Sequence, residues 1–520
     1  MSKSKKAAKS VAILIGFSFF TKFLGFFREA LIAKNFGAGA ELDTYLIAAA
    51  AISLFSIMIT SALYQTVIPI LAEVEAKEGK RGKLRHANNI LNIMSLFAIC
   101  IMIIAWIAAP IVVRLIAVGF EGKQFDLVVL LMRIGLPSIL FSVINGIFRG
   151  YLQSESMFFE SSIADLPHNI IFIFFLLVFG NKYGVVILTV VGLISYIGRI
   201  SVQYPSLRKI GYRYSFDFDF KDEYLIKMIK LTPPVLISST ISDINSIVDK
   251  SMASTLVTGS ISALNYGARL VNMTEASIFS SINTVIYPMF SKAVHGKGYG
   301  ELKKAIIKGL NIMLLISIPA AIATIALSNP MVRIAFERGR FDTTASTMTT
   351  IALICYSMLL PAAALRSIAY RVFYALQDTK APMRNSIVIV GTNIVFNFIL
   401  IKPMGHAGLA LATSIASNVG TVTMLIRLRK KIGPFGFYHS VICMGKALLA
   451  AVAMGIVIFV LDKMIYLGDS LWHELGKLVI TGGSGLLVYV VVVYAMGVEE
   501  VRWVLGLVGE KLRGKQRTTI

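Results

Sequence analysis

Apolar runs of about twenty residues, each long enough to cross a hydrocarbon core of about 30 Å, follow one another along nearly the whole chain. Short segments rich in lysine and arginine separate them. This pattern restricts the fold severely, because an open chain in lipid can satisfy its own backbone only as a helix. The composition agrees: 56% of residues are hydrophobic, 15% are charged and the mean hydropathy is +0.75, outside the range of soluble domains. The expectation is an all-α polytopic membrane protein with no sizeable soluble domain. Fourteen transmembrane helices have approximate cores at 11–33, 44–68, 90–118, 127–148, 158–179, 184–204, 231–256, 260–288, 305–328, 344–370, 384–401, 406–426, 440–461 and 475–497.

The net charge of +23 suits a nucleic-acid binder by itself, but the cations lie in loops between apolar runs, the pattern of cytoplasmic loops beside anionic lipid. No nucleic-acid partner is expected. An even number of spans places both termini on one side. Lys3, Lys5, Lys6 and Lys9, Lys77 to Arg85, Arg208 to Arg213, Lys297 to Lys308, Lys380 to Arg384, Arg427 to Lys431 and Lys511 to Arg517 all fall on that side, which is therefore cytoplasmic. One outer loop breaks the rule: "RIAFERGRFD" carries Arg333, Arg338 and Arg340, so either Glu337 and Asp342 pair with them or the count slips there. The basic head "MSKSKKAAKS" has no cleavage site after it and reads as the start of a retained first span. Cys100, Cys355 and Cys443 stand singly in apolar runs, without metal-ligand spacing, and are expected to pack in the interior.

The chain also repeats itself. "TVIPILAEV" at Thr66 returns as "TVIYPMFSKAV" at Thr284, and "LNIM" at Leu91 returns at Leu310, 219 positions later. "YLQSE" at Tyr151 answers "YALQDT" at Tyr374, Asn169 answers Asn393, Gly184 answers Gly408, and "LRKIG" at Leu207 answers "LRKKIG" at Leu428. Two six-helix lobes follow, residues 1–220 and 221–435, with an extra helix pair and basic tail over 436–520. Six is an even number, so the lobes form a parallel repeat about an axis normal to the membrane, with a central cleft about which they can rock.

Charges inside spans need partners, since each costs about 2.5–3.5 kcal/mol at mid-bilayer. Lys22, Arg28 and Glu29 lie in the first span, Asp243 and Asp249-Lys250 in the seventh, and Arg269 with Glu275 in the eighth. The bland reading of the first span is an ion pair of Arg28 or Lys22 with Glu29 or Asp43, which leaves one cation over. Asp249-Lys250 reads as a helix-end pair, and Arg366 and Arg371 as side chains snorkelling to the interface. The remaining cations at the first and eighth spans suit an anionic headgroup, and a guanidinium fork suits phosphate. No nucleotide loop, H-E-x-x-H or G-x-S-x-G motif is present, so no enzyme is expected, and uphill transport would draw on a membrane gradient.

The segments "FLGFFREALIAKNFGAGAELDTYLIA", "VIPILAE", "FERGRFD" and "YALQDTKAPMRNSIVIVGTNIVFNFILIKPMGHAGLALATSIA" resemble the MurJ (MviN) family of lipid II flippases, in the multidrug/oligosaccharidyl-lipid/polysaccharide exporter superfamily. The resemblance implies a two-lobed, V-shaped fold of fourteen helices in the bacterial cytoplasmic membrane. It implies transfer of the lipid-linked peptidoglycan precursor from the inner to the outer leaflet by alternating access. Carried over by position, the headgroup-binding residues are Lys22, Arg28, Glu29, Asp43 and Arg269, and a cation site described for some members falls on Asp249 and Asp378. No cofactor is implied beyond a coupling monovalent cation or the membrane potential. The implied partners are the polyprenyl-diphosphate-linked glycan, membrane lipids and cell-wall synthesis proteins.

Where many members carry an arginine and an acidic residue in the second helix, this chain has Ser56 and Ser61, and Ala268 replaces an acidic residue before Arg269. A second reading is therefore a flippase for another polyprenyl-diphosphate glycan, such as a teichoic acid or capsule unit. A drug antiporter of the same superfamily would want an acidic cavity. A non-transporting scaffold would not need charges buried in its first helix. The family's last two helices form an apolar groove for the polyprenyl tail, and here they are almost wholly apolar.

Overall fold

The computed structural model describes residues 3–294, 299–465, 468 and 470–498. Lys297 and Lys511 to Arg517 lie outside the described residues, as do the side chains of Lys3, Lys5, Lys6, Lys9, Ser61 and Asp243. The described residues form helices α1 (Lys3–Phe36), α2 (Ala40–Ile107), α3 (Ala109–Ile116), α4 (Gly122–Gly135), α5 (Ser138–Ser154), α6 (Phe158–Ile163), α7 (Asp165–Val178), α8 (Gly184–Lys209) and α9 (Glu223–Ala253). They continue with α10 (Ser260–Val294), α11 (Gly300–Ala326), α12 (Ser328–Phe336), α13 (Thr343–Ser357), α14 (Leu360–Ala375), α15 (Lys380–Met404), α16 (His406–Ile432), α17 (Phe437–Met464) and α18 (Leu471–Ala495).

Helix occupies nearly the full length of all fourteen expected cores. Among the described residues nine helices are long and apolar enough to cross a bilayer, or ten when α13 and α14, bent by 41°, count as one. At 68 residues α2 would extend about 100 Å as one rod, far more than a bilayer. Gly79 breaks it with φ 71°, in the left-handed region where a Cβ is penalised, amid the charged run from Glu73 to Arg85. α2 thereby supplies two of the expected spans.

The chain divides into two compact units, Met1–Ser262 with Arg338–Asp342, and Ala263–Glu337 with Thr343–Ile520. In the first, α2 packs on α5 and α9, α5 on α8, and α7 on α1 and α8. At the end bearing the basic loops, fully buried Lys83 sits between Glu75 at 2.7 Å and Glu155 at 2.5 Å, over the Tyr151 ring.

Next to it the extended linker from α8 to α9 is held by three asparagines of α2. Asn89 donates to the Asp219 carbonyl (2.9 Å) and accepts from the Asp219 N–H (2.7 Å). Asn92 donates to the carbonyls of Ser215 and Asp217, and Asn88 to that of Arg213. A carboxamide offers a donor and an acceptor, as a peptide does, so one helix face serves as the linker's strand partner. Phe216, Phe218 and Phe220, which alternate with the aspartates, point outward and are exposed. Asp222 then caps α9 by accepting from the N–H groups of Tyr224 and Leu225.

In the second unit α11 is central. Leu310, Met313, Leu314 and Ile318 are buried with Ala447, Ala450, Ala451, Met454 and Ile458 of α17 in one core. Tyr489 of α18 donates to the Leu315 carbonyl at 2.8 Å. The last helix pair is therefore built into this core, while Leu449, Ile456 and Phe459 on its other face are exposed. The arginine at odds with the charge rule has partners: Arg333 lies 2.7 Å from Glu474 and 3.7 Å from Glu337. Cys355 and Cys443 are buried as expected, but Cys100 is exposed, because α2 turns it outward with Phe97, Ile103 and Ile104.

Removing the Asn89 carboxamide takes a partner from the Asp219 N–H and carbonyl and from the buried Asp222 carboxylate, at a cost of about 2 kcal/mol. Asn89→Ala is expected to speed hydrogen exchange at the Asp219 amide at least about tenfold with little change at α5. Burial raises the Asp222 carboxyl, but the bonds from His86, Asn89 and the Leu225 N–H outweigh it and hold the group below the usual carboxylate range. A depressed folded value stabilises above the unfolded value of about 3.9, so Asp222's contribution should be complete at neutral pH and fade as pH falls below about 4. Linker exchange in Asp222→Asn against wild type, compared across that range, checks the sign.

Candidate functional site

The site begins at a helix break. Pro167 has no N–H to offer the Ile163 carbonyl, so α6 ends at Ile163 and α7 restarts at Asp165. Asn169, one turn into α7, is buried and faces α1, where its Nδ2 donates to the Thr21 carbonyl at 3.3 Å. Its Oδ1 accepts from Arg28 Nη1 at 3.2 Å. Arg28 Nη2 donates to Glu29 Oε1 at 2.7 Å, and its guanidinium stands 5.4 Å from the centre of the Phe172 ring. Both side chains of the pair are nearly buried, at 13% and 10% exposure. Arg28 Nε has no acceptor among the described residues. Of the ion pairs the sequence allowed, the structure forms Arg28 with Glu29.

A second group of charges lies beside the first. Small residues Gly192, Ser195 and Gly198 turn toward α7: a Cβ on Gly198 would come within 2.8 Å of Ile171 and 3.1 Å of Pro167. This close approach brings Arg199 Nη2 to 3.8 Å from Asp165 Oδ1, while Arg149 Nη1 of α5 reaches Asp165 Oδ2 at 3.5 Å. His168, bonded to Ser195 at 2.6 Å, packs against the rings of Phe172 and Tyr196, and Arg199 stands over Tyr196. The sequence reading passed over Arg149, Asp165 and Arg199. The insertion cost that singled out Arg28 applies equally to Asp165 and Arg199, which lie within the fifth and sixth expected spans.

The remaining expected residues are distributed as follows. Lys22 is exposed on α1, and Arg269 is exposed on α10 in the second unit. Asp43 is buried with three acceptor bonds, from the N–H groups of Gly259 (2.7 Å) and Ser262 (2.8 Å) and the Ser262 hydroxyl (2.6 Å). It caps the start of α10 from α2. Asp249 is buried in the last turn of α9, in the first unit. Asp378 belongs to the second, between α14 and α15, where it pairs with Lys431 and accepts from the Ala381 N–H. Lys431 holds its carboxyl below the usual range. Arg366 does not snorkel: α16 approaches closely enough for it to donate to the Ser417 carbonyl (3.1 Å) and hydroxyl (2.7 Å). Ser56, where the family resemblance expects a charge, is half-buried.

This helical arrangement is a fold shared with solved membrane proteins. A solved inward-facing multidrug resistance MATE family transporter of the MOP superfamily superposes with a TM-score of 0.67, covering 80% of this chain and 95% of that one at 16% identity. A structure described as "Lipid II flippase MurJ, inward closed conformation" superposes with a TM-score of 0.76 at 26% identity, covering 92% and 98%. The sequence pattern of the family described as "Lipid II flippase MurJ" matches residues 32–478. The chain belongs to that family. A "Probable lipid II flippase MurJ" of Rickettsia prowazekii is 29% identical over 418 residues, covering 79% of this chain and 82% of the relative. The "Lipid II flippase MurJ" of Burkholderia cenocepacia is 25% identical over 433 residues, covering 81% and 84%.

Taking one member from a buried pair costs about 3–5 kcal/mol, because the other charge loses its counterion. Arg28→Gln should lower thermal stability in nanodiscs by about that much, and Arg28→Gln with Glu29→Gln should recover more than half of the loss. Equal destabilisation by the single and double variants would contradict the pairing.

Proposed function

We propose that the chain moves lipid II, the lipid-linked peptidoglycan precursor, from the cytoplasmic to the outer leaflet of a bacterial cytoplasmic membrane, with both termini cytoplasmic. Family membership supports the flippase activity. The role of the cations is supported chiefly by one observation, the Arg28 guanidinium held inside a membrane-spanning helix with Nε still unsatisfied. Such a donor suits an incoming pyrophosphate oxygen. In this reading Arg28, Lys22 and Arg269 take the pyrophosphate, Glu29 orients Arg28, and Asp43 fastens the second helix. The six-helix repeats over 1–220 and 221–435 are the alternating lobes, and the pair over 436–520 guides the polyprenyl tail along its exposed apolar face. A monovalent cation at Asp249, or the membrane potential, supplies the bias for release, and Asp378 is engaged by Lys431. The second reading, another polyprenyl-diphosphate glycan as cargo, is favoured by uncharged Ser56 and Ala268.

The test is rescue of a bacterium depleted of its own lipid II flippase, scored by lipid II accessible at the outer leaflet. Wild type should rescue, and Arg28→Ala and Arg269→Ala at equal protein level should lower accessible lipid II about tenfold or more. Full rescue by both variants would refute the headgroup role, and failure of well-expressed wild type would move the assignment to another glycan. Asp249→Asn should weaken dependence on sodium or potential; unchanged dependence would remove Asp249 from the coupling step.

A further inference from the structure

The geometry points to a lipid-docking face on the linker between α8 and α9: Phe216, Phe218 and Phe220 enter the anionic headgroup layer on the side of the basic loops, and the cations that flank them hold the linker there. This surface lies outside the charged site described above, and the inference does not depend on which cargo the chain moves.

The three rings form one continuous row. In an extended chain every second side chain shares a face, so "FDFDF" over 216–220 sets its phenylalanines on one side and its aspartates on the other. The ring centres of Phe216 and Phe218 stand 4.8 Å apart, and those of Phe218 and Phe220 6.5 Å. Asn88, Asn89 and Asn92 hold the linker backbone against α2, yet the rings remain open, with exposures of 78%, 40% and 62% along the row. Contiguous exposed rings of this kind mark an interaction surface.

Level and charge identify the occupant as lipid. Asn88 and Asn92 lie one turn apart on α2, and the same face continues through Leu96, Ile103 and Ile107, all of them exposed. The stretch Thr66–Ile107 of that helix is apolar enough to cross a bilayer. The linker therefore crosses α2 one turn, about 6 Å, before its first lipid-facing side chain, which is the level of the headgroups. Exposed Arg208, Lys209 and Arg213 lead into the row and Lys221 follows it, four cations against Asp217 and Asp219 over residues 208–221. The two carboxylates accept from donors of the linker itself, the Ser215 hydroxyl and the Lys221 N–H. Arg208 stands over the Tyr204 ring, and Tyr214, bonded to Asn92 through its hydroxyl, adds a further exposed ring beside Phe216. Rings that enter the acyl boundary and cations that meet lipid phosphates are the two parts of an interfacial anchor. Phenylalanines at this level meet lipid before any soluble partner does.

The test uses the full chain in nanodiscs with Cys100→Ser, which leaves only buried Cys355 and Cys443, and a bimane label at Phe216→Cys or, independently, at Phe220→Cys. Both positions are exposed, so the label disturbs no core. Phospholipid carrying a nitroxide near its glycerol should quench both labels, and iodide in the water should quench them at least about threefold less than a label at Glu301→Cys, exposed in the first turn of α11. Phosphatidylglycerol should strengthen the nitroxide quenching over phosphatidylcholine. Arg213→Gln should lower the docked-to-undocked ratio about fivefold in phosphatidylglycerol and leave it unchanged in phosphatidylcholine. Iodide quenching equal to that at Glu301→Cys, with none from nitroxide lipid, would overturn the proposal and leave the rings to a protein partner. Nitroxide quenching of equal strength in both lipids would overturn the anionic assignment.

Discussion

The structure depends on the high cost of placing a guanidinium in hydrocarbon. A leucine at position 28 would need nothing from its neighbours, whereas Arg28 requires acceptors and a counterion. Meeting that need organises much of the first unit: Glu29 beside it on α1, Asn169 from α7, and the Pro167 break that starts α7 at the right level. The glycines of α8 then let a second pair of cations approach the same helix. The polar network is continuous because each member leaves part of its hydrogen-bonding capacity to the next.

The bilayer made the fold largely legible from sequence. Helix was the only element available to apolar runs of this length, and the break at Gly79 falls between the second and third expected spans, whereas Pro167 breaks a fifth span that the sequence drew as continuous. Arg28 and Glu29 were legible for the same reason, since their cost can be read from a single span. Asn169 was visible only as a repeat match, because its bond to Arg28 joins positions 141 residues apart and a neutral carboxamide carries no insertion signal strong enough to mark it. Arg149 lay just beyond a drawn span end and so escaped the count. Arg366 showed the opposite error: its distance from the interface suggested snorkelling, and tertiary packing supplied Ser417 instead.

The linker between α8 and α9 illustrates a different limit. Its alternating aromatic and acidic residues read as an extended segment, but extended backbone needs a partner, and nothing local says that the partner is a helix. Three asparagines within five positions of α2 provide it by presenting amides from side chains. In a helix that otherwise satisfies itself, such a cluster signals that another chain segment lies alongside.

The two asparagines matched by the internal repeat have taken different paths. Asn169 supports an arginine, whereas Asn393, fully buried, donates to Thr413 and accepts from Asn397, a neutral chain of hydroxyl and amides. The repeat therefore keeps a carboxamide at this position and gives it different partners in the two copies.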